Sequence, residues 1–228
     1  MARFFELVDA SSVEDVRTYL SRARSIDDDG AVRFQGVGGA VGMWSCVLAR
    51  AGLLDNTPTV LGLRTAGLGQ PSTLDAVVSL GAVLDRIPRL RSTGDSMLRL
   101  PPYDEKAAWA GVSPSLSGWE AVGAVPAQAL VTTAKAGTEE VAQTIPTNAG
   151  REIVQRVRSG VWSRVSEWGQ GANDDGESPF VVPDGAAFAA WALGFLRSDD
   201  DSEVPVAVNG SWTRLSCPGG FVLTHKPR

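Results

Sequence analysis

The sequence predicts an α+β fold with a mainly antiparallel β half at the N-terminus and a mainly helical half at the C-terminus, closed by a β-hairpin. Three observations predict it. Short apolar runs punctuated by glycine and proline fill residues 31–100, as in strands joined by turns. From residue 126 onward, apolar residues recur instead at helical spacing. Asn209-Gly210 and the Pro-Gly-Gly run at 218–220 separate the last apolar runs, which predicts closing strands.

The N-terminal half begins with a predicted helix that Ser11 or Ser12 can cap. Its apolar positions, spaced to share one face, are Val13, Val16, Tyr19 and Leu20. The strands predicted after it are AVRFQG, AVGMWSCVLA, TVLGLRTAGL, LDAVVSL and SMLRL. We also expect one helix near Leu80 to Leu90.

Residues 101–125 contain many turn formers and little periodicity, which predicts a boundary or a long functional loop. We therefore divide the chain into a β-rich half at 1–105, a connecting loop at 106–125 and a helical half with C-terminal strands at 126–228. The alternative of one continuous domain stays open.

The helical half begins at Pro126, a residue suited to a first helical position. Gly137 is expected to end this helix, so that a second, short helix covers residues 138–144. A third helix follows Pro146 and carries an apolar stripe expected to face one core. The members of that stripe are Ile153, Val154, Val157, Val161 and Val165.

The last predicted helix, GAAFAAWALGFL, is apolar on most sides. We therefore expect Asp184 to cap it and Trp191 to lie in the core. The strands predicted after this helix are VPVAVN, SWTRLSC and GFVLTH.

Composition places the chain among ordinary globular proteins, with 228 residues, 43% of them apolar and 21% charged. It has only two cysteines, Cys46 and Cys217, and an N-terminus without the apolar core of a signal peptide, which predicts a cytoplasmic protein. The longest uncharged stretch, 34–49, falls short of the roughly 20 residues that cross a bilayer. No membrane partner is expected.

The net charge of −5 opposes binding to polyanions, and the basic cluster that stands out is Arg86, Arg89 and Arg91. We therefore expect no nucleic acid partner. A helix-turn-helix around residues 128–146 is disfavoured for a similar reason, because its second helix would present Glu139 and Glu140 to DNA.

Motifs for cofactor binding or catalysis fail on spacing. The run GVGGAVG has Val41 where a dinucleotide fingerprint needs its third glycine, so we interpret its glycines as strand bends or close packing. The Gly-Asp-Ser-Met run at 94–97 is similar to the nucleophile block of GDSL hydrolases. However, Val222 stands three residues before His225, where that block's partner motif has aspartate, and a turn is the preferred interpretation.

A single histidine limits base and metal chemistry. We expect His225 to lie in an exposed tail and Cys46, with apolar neighbours, to be a buried structural residue. The acidic runs at 27–29, 174–175 and 199–201 lack the spacing of a calcium loop. We expect no metal and no cofactor.

Two of the seven tryptophans, Trp109 and Trp119, flank the loop AGVSPSLSG. Aromatic side chains on a long loop are typical of recognition, but they also commonly pin such a loop to the core. The second interpretation is the more frequent one, and both stay open.

Five segments resemble a group of conserved actinobacterial proteins of unknown function: PTVLGLR, SGWEAVGAVP, EEVAQTIPTNAG, VRSGVW and AAFAAWALGFL. The resemblance covers most of the chain. It implies a cytosolic protein of actinobacterial type, in agreement with 18 arginines against three lysines. It assigns no activity, cofactor or site residue.

Two functions follow as hypotheses. The first is non-catalytic association, either with a second copy as a homodimer or with a protein partner. The alternative is a small-molecule-binding protein, or an enzyme using carboxylate and arginine groups, with a pocket at the junction of the two halves. Candidate ligand- or partner-binding residues are Arg64, Trp109, Trp119 and Glu120; the sequence identifies no catalytic residue.

Overall fold

The computed structural model describes residues 3–50, 52, 55–170 and 180–225. Two compact units divide the chain. The first holds Met1–Cys46 and Gly62–Ser113, and the second holds Val47–Leu61 and Pro114–Arg228.

The first unit combines antiparallel strands with three helices. Its sheet has the order β5-β2-β3-β4, and β1 pairs separately with β6. The elements are β1 (Phe4–Glu6), α1 (Ala10–Ile26), β2 (Ala31–Val37), β3 (Ala40–Leu48), β4 (Thr59–Gly67), β5 (Asp75–Ser79), α2 (Leu80–Leu84), α3 (Ile87–Thr93) and β6 (Met97–Arg99). β3 ends, and β4 begins, in the segment Val47–Leu61 that belongs to the second unit.

Helix α1 begins two or three residues earlier in the chain than its serines suggest. Asp9 is the N-cap residue, and its carboxylate accepts hydrogen bonds from the Ser12 backbone N–H and from the hydroxyls of Ser11 and Ser12, each at 2.8 Å. The predicted serine cap is therefore wrong, because a carboxylate is the stronger acceptor for the free N–H groups of a first turn.

Tyr19 links helix α1 to strands β3 and β4 by buried hydrogen bonds. This buried hydroxyl lies 2.8 Å from Ser45 Oγ and donates toward two carbonyls, those of Met43 and Gly62, at 3.1 Å each. The apolar positions predicted on α1 are all buried. Two short helices, α2 and α3, replace the single helix expected near residues 80–90.

In its described residues the second unit carries antiparallel strands in the order β10-β9-β8-β7 and three α-helices. Its elements are β7 (Glu120–Pro126), α4 (Ala127–Thr144), α5 (Arg151–Trp162), α6 (Asp184–Ala192), β8 (Glu203–Asn209), β9 (Trp212–Cys217) and β10 (Gly220–His225). Strand β7 is absent from the sequence expectations. Most of its residues are exposed and a bulge interrupts it between Ala121 and Gly123, so it lacks the regular alternation that marks a strand.

Helix α4 runs unbroken through Gly137, so the predicted helix break is wrong. A Cβ added to Gly137 would overlap the ring of Trp162 on α5. This glycine is present because two helices approach closely there, and the surrounding packing overrides its low helix propensity.

The apolar stripe predicted on α5 is only partly buried. Val161 lies in the core, whereas Ile153 is 45% exposed and Val154 is half-buried. The helix buries its last residues, Val161 and Trp162, so its first turns lie at the surface and the prediction fails for Ile153.

Two expectations for α6 are also corrected. Pro183, not Asp184, is the N-cap residue, and the Asp184 carboxylate instead accepts hydrogen bonds from the backbone N–H and hydroxyl of Ser166, at 3.0 and 2.9 Å. Trp191 is half-buried, with the ammonium of Lys135 at 4.9 Å from its ring centroid.

The predicted α+β class is confirmed, with mostly antiparallel sheet in the N-terminal half, helices in the middle and closing strands at the C-terminus. Over the described ranges, no helix has both the length and the apolar character needed to cross a membrane.

Candidate functional site

An arginine that lies over two aromatic rings forms the candidate site of the second unit. The guanidinium of Arg214 on β9 lies 4.7 Å from the ring centroid of Trp119 and 5.5 Å from that of Phe221 on β10. All three side chains are half-buried. We call Trp119, Arg214 and Phe221 the arginine–aromatic cluster.

A hydrogen-bonded turn holds Trp119 in place. Its indole Nε1 donates to the carbonyl of Ser115 at 3.0 Å, and the Asn209 side chain donates to the carbonyl of Ser117 at 2.7 Å. Gly118, between Ser117 and Trp119, has φ +79°, a conformation that favours glycine. The same turn leaves Leu116 64% exposed, so the cluster has an apolar neighbour in the chain at the surface.

The Arg214 guanidinium has no counter-charge among the described residues. Burial lowers the pKa of Arg214, and no carboxylate opposes that shift. Its Nε is enclosed without a hydrogen-bond partner. Stacking on aromatic faces partly offsets the cost of removing a guanidinium from water, but a buried N–H without an acceptor still costs about 1–3 kcal/mol.

A second aromatic pair lies on the same hairpin. Trp212 and His225 are register partners across β9 and β10, with ring centroids 4.8 Å apart. His225 therefore lies in a strand, and the expectation of an exposed tail is wrong. Since side chains alternate along a strand, Trp212 and Arg214 lie on one face of β9 and buried Leu215 on the other.

Arg33 in the first unit differs from Arg214 because its guanidinium is paired with a carboxylate and with other acceptors. Its guanidinium donates to both carboxylate oxygens of Asp75, at 2.7 and 2.5 Å, to the carbonyl of Ala110 at 3.1 Å, and to Ser113 Oγ. The hydrogen bonds to Asp75 raise the pKa of Arg33. We interpret Arg33 as an anchor for the segment around residue 110, in contrast to Arg214.

The structure brings one of the four sequence candidates, Trp119, into the cluster. Glu120, next to it in the chain, is exposed at the first position of β7. The other two belong to the first unit, where Arg64 lies 3.6 Å from Asp15 and Trp109 sits half-buried in a short 3-10 helix at Ala108–Gly111. A binding role for these four residues stays a prediction.

Sequence reasoning missed Arg214 and Phe221. One signal could have found the arginine. In the predicted strand SWTRLSC, Arg214 stands two residues after Trp212, so strand alternation places it on the same face as an aromatic residue.

Metal and thiol chemistry find little support in the described part of the chain. No three His, Cys, Asp or Glu side chains of that part converge on one point, and Asp174 and Asp175 lie outside it. Burial raises the pKa of Cys217 to about 12, which disfavours its nucleophilic thiolate. Cys46 is half-buried, not buried as expected.

Two family matches together cover almost the whole chain. Residues 114–228 match Domain of unknown function (DUF8185), and residues 1–111 match Domain of unknown function (DUF8010). The chain belongs to the DUF8185 family. The predicted membership of a family of unknown function is thereby confirmed, while its actinobacterial origin stays a prediction. No curated protein is similar to the chain in sequence.

The fold is shared with bacterial sliding clamps. The DNA polymerase sliding clamp from Bacillus subtilis matches all of this chain with a TM-score of 0.50 and 10% sequence identity. DNA polymerase III subunit beta from Borrelia burgdorferi, in complex with a natural product, matches 98% of it with a TM-score of 0.54 and 7% identity. The chain spans 65% and 64% of those two proteins' lengths.

The exclusion of nucleic acid as a partner is wrong. It was argued from the net charge of −5, but two solved proteins that share this fold are a DNA polymerase sliding clamp and a DNA polymerase III subunit beta. Net charge averages over the whole chain, whereas association with a polyanion depends on the local distribution of charge. An acidic chain can therefore still take part in a DNA-related function.

Proposed function

We propose that this protein is a non-catalytic association module that works in a DNA-related assembly in the cytoplasm. The observation that carries the proposal is the match of 98–100% of the chain to two sliding clamps. At 7–10% identity this likeness concerns the fold alone, so no residue role is transferred from the clamps.

The arginine–aromatic cluster supports association with a protein partner. Tryptophan and arginine are enriched among the residues that contribute most to protein interfaces, and here both are half-buried on one surface. Exposed Leu116 lies three residues before Trp119. A partner that covered these groups would remove apolar area from water, which stabilises a complex.

Three finer expectations remain proposals beside this one. They are the division at 1–105, 106–125 and 126–228, the homodimer, and a ligand pocket that uses Arg64, Trp109, Trp119 and Glu120. Each needs its own test, and only the homodimer shares a measurement with the association function.

Two measurements on one preparation test the proposed function. Fluorescence anisotropy of a labelled DNA duplex should show binding at about 50 mM salt that weakens at about 200 mM, as phosphate contacts require. Native mass spectrometry should show a dimer or a larger assembly. A bare monomer that leaves the duplex unbound at the lower salt would overturn the proposal. Extra mass that disappears on denaturation would favour the small-molecule alternative.

A further inference from the structure

We propose that Arg214 is the binding site for a carboxylate of a protein partner, presented by an acidic side chain next to an aliphatic one. This inference rests on the association function proposed above and names the chemistry of the partner. It concerns the arginine–aromatic cluster and the turn that carries Leu116.

The guanidinium of Arg214 has N–H groups without hydrogen-bond acceptors in the described part of the chain. A guanidinium carries five N–H donors in a planar fork that matches a carboxylate. The Arg214 guanidinium donates no hydrogen bond to any described residue, and its Nε is enclosed without a partner. The two terminal nitrogens are therefore the edge that a ligand can reach.

Contacts within the chain already hold the side chains of the cluster in place without a ligand. The Trp119 indole donates a hydrogen bond to the carbonyl of Ser115, and the Arg214 guanidinium lies over the rings of Trp119 and Phe221. A group already held in place loses little conformational entropy on binding. In this partly desolvated setting a charge-assisted hydrogen bond is also stronger than at an open surface.

The charged residues of strands β7 to β10 favour a protein carboxylate over a nucleic acid as the ligand. Arg214 is the sole Lys or Arg residue in β7, β8, β9 and β10, and these strands also carry Glu120 and Glu203. A phosphate backbone is tracked by a row of cations, which this sheet lacks. One cation beside aromatic rings and an exposed leucine fits a single carboxylate flanked by an apolar side chain.

The test titrates the full chain with a capped peptide that contains Glu-Leu-Glu, and separately with its Gln-Leu-Gln counterpart. NMR follows the Trp119 indole N–H and the Arg214 Nε–H, assigned from the variants Trp119→Phe and Arg214→Lys. We expect saturable shifts of both signals with the Glu peptide, at least about tenfold weaker binding in Arg214→Gln, and unchanged binding in Arg156→Gln. The control residue is an exposed arginine on α5.

Three results would overturn the inference: equal binding of the two peptides, no shift with the Glu peptide, or Arg214-dependent shifts with oligothymidylate in place of the peptide. If Arg214→Gln does not fold, as judged by circular dichroism, Arg214→Lys keeps the charge without the planar fork and should still weaken binding. Duplex binding and assembly are measured on the same samples. Their loss contradicts the proposed function, whereas absent peptide binding with intact duplex binding contradicts the carboxylate site.

Discussion

Replacing Gly137 by alanine should destabilise the protein, although alanine is the better helix former. Gly137 lies in the interior of α4, where alanine would gain about 1 kcal/mol from propensity alone. The new methyl group, however, would overlap two atoms of the Trp162 ring. Carbon atoms pack at about 3.5–4.0 Å, so the ring must move.

The Trp162 ring has little room to move. It is 2% exposed and stacks on Phe188 with centroids 4.5 Å apart. Overpacking a core of this kind costs about 1–3 kcal/mol. Against the propensity gain, we expect the free energy of unfolding to fall by about 1–2 kcal/mol, measured by urea denaturation followed by circular dichroism.

Gly160 provides the matched control. It also lies inside a helix, α5, but it is exposed and a Cβ there would meet nothing within 4 Å. Gly160→Ala should raise the free energy of unfolding by up to about 1 kcal/mol. Gly137→Ala should lower the free energy of unfolding less in a Trp162→Leu background than in the wild type, because the two sites are in contact. Gly137→Ala as stable as the wild type would refute the argument from close packing.

Three other predictions concern Trp119, Tyr19 and Cys217. Trp119→Ala should change assembly in native mass spectrometry without unfolding the protein, and unchanged assembly would speak against its turn as an interface. Tyr19→Phe should cost about 1–3 kcal/mol in thermal denaturation, because it leaves the Ser45 hydroxyl and two carbonyls without their buried partner; a neutral substitution would show that these groups find other partners. Stability should fall as pH rises from about 9 to about 10, before most of the tyrosine in the unfolded chain ionises, by up to about 1.4 kcal/mol per pH unit. The cause is Cys217, whose pKa in the folded protein is raised to about 12, so that the unfolded chain loses this proton first; Cys217→Ala should flatten the profile, and an equally steep profile in that variant would exclude the thiol as its cause.

Local pattern predicted most of the secondary structure, because it reports which residues are buried. Strands β2 to β6 and the last three strands of the chain lie where short apolar runs and turn residues placed them, whereas β1 was not predicted. Gly38, in the turn between β2 and β3, has φ +58°, which agrees with the interpretation of the glycine-rich run as structural.

Long-range packing explains the failures. Gly137 looks like a helix end in sequence, but its neighbour Trp162 is 25 residues away in the chain. Strand β7 is at the end of its sheet and mostly exposed, so no apolar pattern marks it. The cluster brings Trp119 to a hairpin that lies 95 residues further along the chain, and nothing local indicates that Trp119 and Phe221 both contact Arg214. The charge argument failed because a net value carries no spatial information.

The segment Val47–Leu61 has a consequence for how this protein can be divided. It lies within the part of the chain that matches DUF8010, yet it belongs to the second compact unit, to which it contributes the buried residues Val47, Leu48, Val60 and Leu61. A gene fragment that encodes only residues 114–228 would omit this portion of the unit's interior. Recombination at the family boundary would therefore not transfer a self-sufficient part, and we expect the two matched regions to be inherited together.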